Sequence, residues 1–219
     1  MAIKILLILL PWRLRRYLLQ WLYGYELHPR ARIGLAWVYP KQLAMGEGAH
    51  IGHLTVVKGL DRLALAEFAT IGRLNWISAY PSGLPPHFAH QLDRRPELEL
   101  AAHAAITNRH IIDCTDRISI GAFATVAGFR SQLLTHSINL GRCRQEALPI
   151  SIGAYCFVGT ACTVLGGATL PDYCVLGAHS LLNKRLQETH RLYAGVPAQS
   201  QRELSADLAY FKRMTGVVI

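Results

Sequence analysis

The chain contains 219 residues, enough for one large domain with a buried core, and its hydrophobic fraction of 51% excludes a disordered protein. Its formal net charge of +9 indicates an anionic partner. The sequence contains no helix-turn-helix, zinc-finger or aromatic-and-glycine RNA-binding motif. We therefore expect no nucleic acid, and we favour a phosphorylated cofactor or an anionic membrane surface.

The N-terminal segment, residues 1–32, mixes basic and apolar side chains. Residues 3–10 are apolar except for Lys4 and are too few to span a bilayer, and the arginines follow them, whereas a secretory signal places its charge first. Trp, Tyr and Leu interleaved with Arg are typical of a helix in a membrane interface. We expect a helix that binds an anionic membrane surface through residues 1–25 or caps the fold that follows, and both alternatives stay open.

A period of six residues organises most of the remaining chain. It begins weakly at Ile33 and is regular over residues 152–184, where aliphatic residues open six units in a row: Ile152, Val158, Val164, Leu170, Leu176 and Leu182. The fifth position of each full unit is small: Cys156, Cys162, Ala168, Cys174 and Ser180. Because this period fits neither a helix nor an alternating strand, it predicts a solenoid in which three units form one triangular coil.

Several segments depart from this period. Residues 81–105 and 131–149 are predicted loop insertions, although residues 98–105 read as either a strand or a short helix. A shift of phase before Ile71 predicts a short insertion at a corner of the solenoid. Near the end of the chain, the apolar spacing over residues 202–214 predicts a helix.

The five cysteines form no CxxC pair, and three occupy the small position of the repeat. We therefore expect no metal site. An odd number of cysteines in a chain with no cleavable signal favours a reducing compartment. These features predict a cytoplasmic protein, peripheral to the inner face of the membrane if residues 1–25 bind it.

The second insertion contains His136, directly ahead of the most regular coils. A neutral imidazole is the usual group that removes a proton from a hydroxyl or amine nucleophile at neutral pH. The adjacent Ser137 points the opposite way on an extended segment, which argues against a Ser–His nucleophile pair. The pattern favours His136 as a general base, with the substrate itself as the nucleophile.

The hexad block, the His136 loop and the segment Tyr-Ala-Gly-Val-Pro-Ala at residues 193–198 resemble the hexapeptide-repeat acyltransferases. The sequence is most similar to sugar O-acetyltransferases of surface-polysaccharide biosynthesis. The resemblance is firm over residues 106–202 and weaker over 33–80, and it excludes residues 1–32 and 81–105.

This resemblance implies an all-β fold, a left-handed parallel β-helix of hexapeptide repeats. The handedness rests on the family, since crossover connections are otherwise right-handed. The β-helix would span residues 33–187, between an N-terminal helix at 1–32 and a C-terminal extension at 188–219. The family also implies a homotrimer with active sites between subunits and acetyl-CoA laid along the coils.

The resemblance assigns the catalytic base to His136 and a substrate-orienting role to Asn108, with His110 or Asp113 as alternatives for that second role. It also implies a site for acetyl-CoA, in which small residues let the pantetheine arm approach the backbone and basic residues meet the phosphates: Gly159, Gly177, Ala178, Lys184 and Arg202.

The implied function is acetyl-CoA-dependent O-acetylation of a sugar hydroxyl in polysaccharide or lipid-linked glycan biosynthesis. N-acetylation of an amino sugar or amino acid, acyl transfer from acyl carrier protein, a zinc carbonic anhydrase and a non-catalytic membrane-binding solenoid are the alternatives. The identity of the acceptor is not readable from the sequence.

Overall fold

The computed structural model describes residues 2–84 and 86–218. Met1, Pro85 and Ile219, which fall within the predicted segments 1–32, 81–105 and 188–219, lie outside the described residues. The helices are α1 (Ala2–Leu9), α2 (Trp12–Tyr23) and α3 (Ala209–Lys212). In this part of the chain, no helix is long and apolar enough to cross a membrane.

The strands are short and follow one another at nearly regular intervals. In chain order they are β1 (Glu26–Leu27), β2 (Arg32–Ile33), β3 (Trp37–Tyr39), β4 (Gln42–Met45), β5 (His50–Ile51), β6 (Val56–Lys58), β7 (Arg62–Leu65), β8 (Thr70–Ile71), β9 (Trp76–Ser78), β10 (Glu97–Leu100), β11 (Ala105–Ile106), β12 (Ile111–Asp113), β13 (Ile118–Ile120), β14 (Thr125–Val126), β15 (Gln132–Leu134), β16 (His136–Asn139), β17 (Arg144–Ala147), β18 (Ile150–Ile152), β19 (Phe157–Val158), β20 (Thr163–Leu165), β21 (Thr169–Leu170), β22 (Val175–Leu176), β23 (Leu181–Leu182), β24 (Arg191–Ala194) and β25 (Gln199–Glu203).

Three sheets form the sides of a triangular solenoid. Sheet A contains β1, β4, β7, β10, β13, β18 and β21, and sheet C contains β3, β6, β9, β12, β15, β20 and β23. Sheet B contains β2, β5, β8, β11, β14, β19 and β22, followed by β24 and β25. Successive coils pair in parallel, so three strands and three corners make one coil, and the described residues contain seven coils.

The core consists of the aliphatic residues that open the sequence repeat. Each of them points inward and is buried, and in sheet B they stack in one column: Ile33, Ile51, Ile71, Ile106, Val126, Val158 and Leu176. The small positions of the repeat are also buried. The period of six therefore predicted the inward-facing residues correctly.

The phase shift before Ile71 has a different cause from the predicted one. Ile152 pairs with Leu170, which opens the third unit of the repeat after it. Leu43 pairs with Leu63, so this coil is longer by a pair of residues. The additional pair lengthens the strand in sheet A, which then buries two side chains instead of one. The predicted corner insertion is therefore wrong at this point.

Both long insertions leave the solenoid at the corner between sheets C and A, which we call the C–A corner. The first lies between β9 and β10, because Glu97–Leu100 pairs in sheet A and is a strand rather than a loop or a helix. The second contains the antiparallel hairpin of β16 and β17, where the sequence predicted only a loop. Insertions at a corner leave the stacked core intact.

Helix α2 closes the open end of the first coil. The Arg15 guanidinium is buried and donates hydrogen bonds to the carbonyls of Gly34 at 2.7 Å and Ala36 at 2.9 Å, and Leu19 is fully buried in the core. An uncovered first coil would expose its core and its strand edges. Capping, one of the two alternatives for residues 1–32, is therefore a role of this helix.

The terminal segments differ from their predictions. The N-terminal helix is broken at Pro11 and ends at Tyr23, with Gly24 as its C-cap, so the solenoid begins at Glu26. Arg202 belongs to β25, which pairs antiparallel with β24, so the predicted helix over 202–214 is reduced to Ala209–Lys212. The backbone N–H and C=O groups of β24 at the end of sheet B form hydrogen bonds with this segment. These bonds outweigh the local preference for a helix.

The C-terminal segment packs along an aromatic column at the corner between sheets A and B. Consecutive rings of this column stack with centroids 4.7–5.3 Å apart: Phe68, His103, Phe123, Tyr155, Tyr173 and His190. The Arg213 guanidinium lies over the Tyr210 ring at 3.8 Å and donates a hydrogen bond to the Phe123 carbonyl. These contacts fix the end of the chain against the outside of the solenoid.

A second column, inside the corner between sheets B and C, is polar. This B–C corner carries one small or polar buried residue in each of coils two to seven: Thr55, Asn75, His110, Ser131, Cys162 and Ser180. His110 Nδ1 accepts a hydrogen bond from the Ser131 N–H at 3.1 Å, and Nε2 lies 3.0 Å from Thr107 Oγ1. This geometry requires the neutral imidazole, and burial lowers the pKa of His110 to about 4.

We expect acid to destabilise the protein partly through His110. Its pKa is lower in the folded chain than the unfolded value of 6.5, so stability is full above pH 6.5 and falls as the pH decreases toward 4. Between pH 7.5 and 5.0 this group accounts for a loss of about 2 kcal/mol in the free energy of unfolding.

The test is urea denaturation of His110→Asn and of the natural chain at both pH values. Asn is the matched replacement, because Asn75 occupies the same position one coil earlier. The variant should lose about 2 kcal/mol less than the natural chain between the two pH values. An equal loss in both proteins would contradict this prediction.

Candidate active site

His136 opens the hairpin at the C–A corner. It follows β15 after a single residue and pairs with Ala147 on β17. The side chain is 38% exposed, so a ligand can reach the imidazole. The residue predicted as a general base therefore lies on a strand at the surface.

Asp113 is the carboxylate that faces this imidazole. It ends β12, one coil before Leu134, and its Oδ2 lies 3.4 Å from His136 Nδ1. Its other oxygen, Oδ1, accepts hydrogen bonds from the Thr115 N–H at 2.9 Å and the Thr115 hydroxyl at 2.6 Å. These bonds fix the carboxylate beside the imidazole. A proton on Nδ1 would face Asp113 and leave the lone pair on Nε2.

The first insertion holds the hairpin in place. Gln91 donates from Nε2 to the Ala147 carbonyl and accepts from the Ala147 N–H through Oε1, both at 2.9 Å. Phe88 packs edge-on against the His136 ring, with centroids 5.6 Å apart. The two insertions therefore form one unit, in which Gln91 fixes the residue opposite His136.

Arg94 fixes the first insertion on the solenoid. Its Nη1 donates hydrogen bonds to the Tyr80 carbonyl at 2.6 Å and the Thr115 carbonyl at 2.5 Å. The guanidinium also lies 4.5 Å from the centre of the Phe88 ring. Burial lowers the pKa of Arg94. This side chain connects the insertion with the turn that orients Asp113.

A groove of about 370 Å³ separates the two insertions. Ile138 and Gln145 line it from the face of the hairpin that also carries His136. The other lining residues are Pro86, His87, Phe88, His90, Cys143 and Arg144. The groove offers an aromatic ring, imidazoles and a guanidinium next to the candidate base. Within residues 2–84 and 86–218, no group of three His, Cys, Asp or Glu side chains is arranged to hold a metal ion.

Asn108 does not meet His136 within one chain. It lies at the B–C corner, before β12, and its Oδ1 accepts a hydrogen bond from the Arg73 N–H at 2.7 Å. His110, one alternative to Asn108, is buried in the polar column. Asp113, the other alternative, contacts the imidazole. Sequence order alone could not separate these three residues, because strand β12 carries the chain from one corner to the next between them.

The small residues predicted to line a cofactor site also lie at the B–C corner. Gly159 is in coil six, and a Cβ there would be only 2.7 Å from the Ala178 nitrogen in coil seven. At Gly177, a Cβ would lie 3.0 Å from Ala194 Cβ. The stacking of coils therefore requires small residues here, whether or not a ligand binds. Ala178 itself is exposed.

The two predicted basic residues lie at the last coil. Lys184 is exposed, and its Nζ is 3.4 Å from Gln199 Oε1. Arg202 is exposed on β25, opposite Leu192. Neither belongs to the Asp113–His136 cluster. The sequence-based interpretation missed Phe88, Gln91 and Arg94, and the only signal for them was their position in an insertion.

No protein-family profile matches the chain, and no curated protein sequence matches it. Solved structures do match. The polysialic acid O-acetyltransferase OatWY has a TM-score of 0.60 at 17% identity, over 87% of this chain and 90% of that one. The N-acyltransferase AntD from Bacillus cereus, in complex with dTDP and 3-hydroxybutyryl-CoA, has a TM-score of 0.54 at 13% identity, over 90% and 92%. A variant of AntD with dTDP-4-amino-4,6-dideoxyglucose and coenzyme A has a TM-score of 0.52 at 12% identity, over 90% and 93%.

These similarities establish the fold. The expected all-β, left-handed parallel β-helix is confirmed, and the structural neighbours are acyltransferases of the kind that the sequence resembles.

Proposed function

We propose that this protein is an acetyl-CoA-dependent acetyltransferase that modifies a sugar hydroxyl, with His136 as general base. The observation that carries the proposal is the contact between His136 Nδ1 and the fixed carboxylate of Asp113, beside a groove between two insertions. The fold shared with a polysialic acid O-acetyltransferase supports the choice of acceptor class.

In the proposed reaction, the acceptor hydroxyl gives its proton to His136 Nε2 while its oxygen attacks the thioester carbonyl of acetyl-CoA. Backbone N–H groups are the donors expected to stabilise the tetrahedral oxyanion. The intermediate then collapses, the C–S bond breaks, and the imidazolium returns its proton to the thiolate, which leaves as free coenzyme A. Asp113 stabilises the imidazolium while it carries the proton.

The donor would lie along the B–C corner, past Gly159, Gly177 and Ala178, with Lys184 and Arg202 near its phosphates. Crystals of AntD contain coenzyme A or an acyl-CoA, which supports a thioester donor for this fold. The excess of basic residues also suits an anionic cofactor. Within one chain, however, sheet C separates this corner from His136.

A second chain would close this gap. Apolar side chains are exposed at the B–C corner, including Leu54 at 64%, Leu74 at 44% and Phe129 at 54%, and Trp76 and Ile111 extend this surface onto sheet C. Such a patch is typical of an interface. We infer a homotrimer in which the Asp113–His136 pair of one chain faces the B–C corner of its neighbour.

This arrangement would also give Asn108 a role. It belongs to coil four, and His136 follows coil five, so the two residues differ by about one coil along the solenoid. Asn108 of the neighbouring chain would then lie close to the level of the reacting hydroxyl.

N-acylation of an amino sugar is the second candidate. The observation that favours it is the fold shared with AntD, an N-acyltransferase crystallised with an amino sugar nucleotide. The same His136 would take the proton from the amine. A panel of sugars that carry either a hydroxyl or an amine at the reacting position distinguishes the two.

We expect His136→Ala to lower the turnover of acetyl-CoA by about 10²–10⁴-fold, because the acceptor loses its general base. The measurement is release of thiol from acetyl-CoA with a panel of nucleotide-linked and lipid-linked sugars. The melting temperature of the variant should still rise with acetyl-CoA. Turnover in the His136→Ala variant equal to that of the natural chain would refute the role of His136. A natural chain that neither releases thiol nor gains thermal stability from acetyl-CoA would indicate a non-catalytic solenoid.

We expect Asp113→Asn to be nearly as damaging as His136→Ala. Thr115 donates both of its hydrogen bonds to Oδ1, so the amide oxygen of Asn would occupy that place and its NH₂ would face His136 Nδ1. That contact selects the tautomer with its proton on Nε2, which cannot act as a base. Turnover should fall by about 10²–10⁴-fold.

The matched control is Asp116→Asn at the same corner. Asp116 accepts hydrogen bonds from the N–H groups of Arg95 and Arg117, and an amide oxygen can accept both. This variant should keep its turnover. Equal activity in the two variants would contradict the proposed role of Asp113.

The trimer with shared sites predicts complementation between two inactive variants. In Ala178→Trp, the exposed indole blocks the donor path, and in His136→Ala the base is missing. Coexpressed at equal levels, the two chains would form mixed trimers in which about a quarter of the sites combine both natural faces. Activity near a quarter of the natural level would support shared sites. No recovery, with mixed assembly verified by mass spectrometry, would refute them.

A further inference from the structure

We propose that the outer face of helices α1 and α2 is a docking surface for an anionic lipid membrane. This face comprises the exposed apolar side chains of the two helices and the basic residues beside them. The proposal stands independently of the chemistry at His136.

The outer face is unusually apolar for a surface. On α2, Leu14, Tyr17 and Trp21 recur at helical spacing and are all exposed, with Trp21 at 72%. On α1, the exposed residues are Ile3, Ile5, Leu6 and Leu9. Leu, Ile, Tyr and Trp on one side of a helix are the residues that insert into the boundary between lipid headgroups and acyl chains.

The charge of the two helices specifies the chemistry of the partner. Residues 2–25 contain Lys4, Arg13, Arg15 and Arg16 and no acidic residue. Arg13 is exposed and Arg16 half-buried, and neither has an ion-pair or hydrogen-bonding partner within the described parts of the chain. Basic side chains next to an exposed apolar stripe complement a bilayer that contains anionic lipids.

The inner face of α2 orients this surface. Arg15 and Leu19 point into the first coil, where they hydrogen-bond to its carbonyls and fill its core. Leu14, Tyr17 and Trp21 therefore point away from the solenoid, beyond its first coil. One helix thus has both roles considered from the sequence, since capping uses one face and leaves the other free.

The orientation has a consequence for the acceptor, which rests on the proposed function. His136 follows coil five, and coils stack about 4.8 Å apart, so the imidazole lies about 20 Å beyond the first coil. A membrane at the outer face of α2 would lie farther still. The hydroxyl that reacts would then belong to a glycan that extends from the bilayer, rather than to the first sugar on a lipid.

The test is sedimentation of the full chain with vesicles of phosphatidylglycerol and phosphatidylcholine, compared with vesicles of phosphatidylcholine alone. Binding should require phosphatidylglycerol and weaken as salt is raised. The variant Leu14→Gln/Tyr17→Gln/Trp21→Gln should bind at least about tenfold more weakly. The variant Arg13→Gln/Arg16→Gln should lose about fivefold for each arginine removed.

The matched control replaces three exposed apolar residues at the other end of the chain, Met214→Gln/Val217→Gln/Val218→Gln. It should bind vesicles like the natural chain. Absence of binding by the natural chain, or equal binding by all variants, would overturn the proposal. Self-association without lipid that the α2 variant abolishes would instead identify a second copy as the partner.

Parallel measurement of acetyl transfer to a soluble glycan separates this proposal from the proposed function. Transfer without vesicle binding would refute only the docking surface. Vesicle binding without transfer to any glycan in the panel would refute only the catalytic role. A lipid carrying a single sugar that reacts as fast as one carrying a long glycan would contradict the separation between the bilayer and the imidazole.

Discussion

The structure depends on one constraint, the stacking of each inward side chain on its counterpart one coil away. In sheet B this column runs without a break from Ile33 to Leu176. Each coil contacts only its two neighbours. Because side chains alternate between the two faces of a strand, one residue added inside a strand would turn the inward side chains that follow it in that strand to the outer face. Additional chain is tolerated in two ways, as a pair of residues in sheet A or as a loop at a corner.

That constraint determines where an active site can be built on the solenoid. Both insertions leave at the C–A corner, and together they bring Phe88, Gln91 and His136 to one place outside the stack. Asp113, in contrast, belongs to the stack itself, since it ends a strand in sheet C. The candidate site therefore combines a carboxylate on the rigid solenoid with an imidazole on an insertion, and Arg94 links the two through the Thr115 carbonyl.

Much of the fold could be predicted from the sequence because a solenoid is nearly one-dimensional. Val158, for example, stacks on Leu176, which opens the third repeat unit after it. Prediction failed where a contact crosses between corners. Asp113 and Asn108 are close together in sequence and both precede His136, yet only Asp113 reaches it within the chain. It failed again near Arg202, because hydrogen bonding to β24 overrides local helical spacing.

Amino-acid composition alone does not show which basic residues of helix α2 are available to a partner. The three arginines of this helix look equivalent in sequence, and all of them contribute to the basic character that suggested a membrane surface. The structure assigns Arg15 to the carbonyls of the first coil, so this charge is unavailable to lipid, while Arg13 remains exposed. The same periodicity divides the apolar residues into Leu19 inside and Trp21 outside. A helix that only capped the solenoid would need an apolar inner face and a polar outer one. The apolar outer face of α2 is therefore a feature that capping alone does not explain.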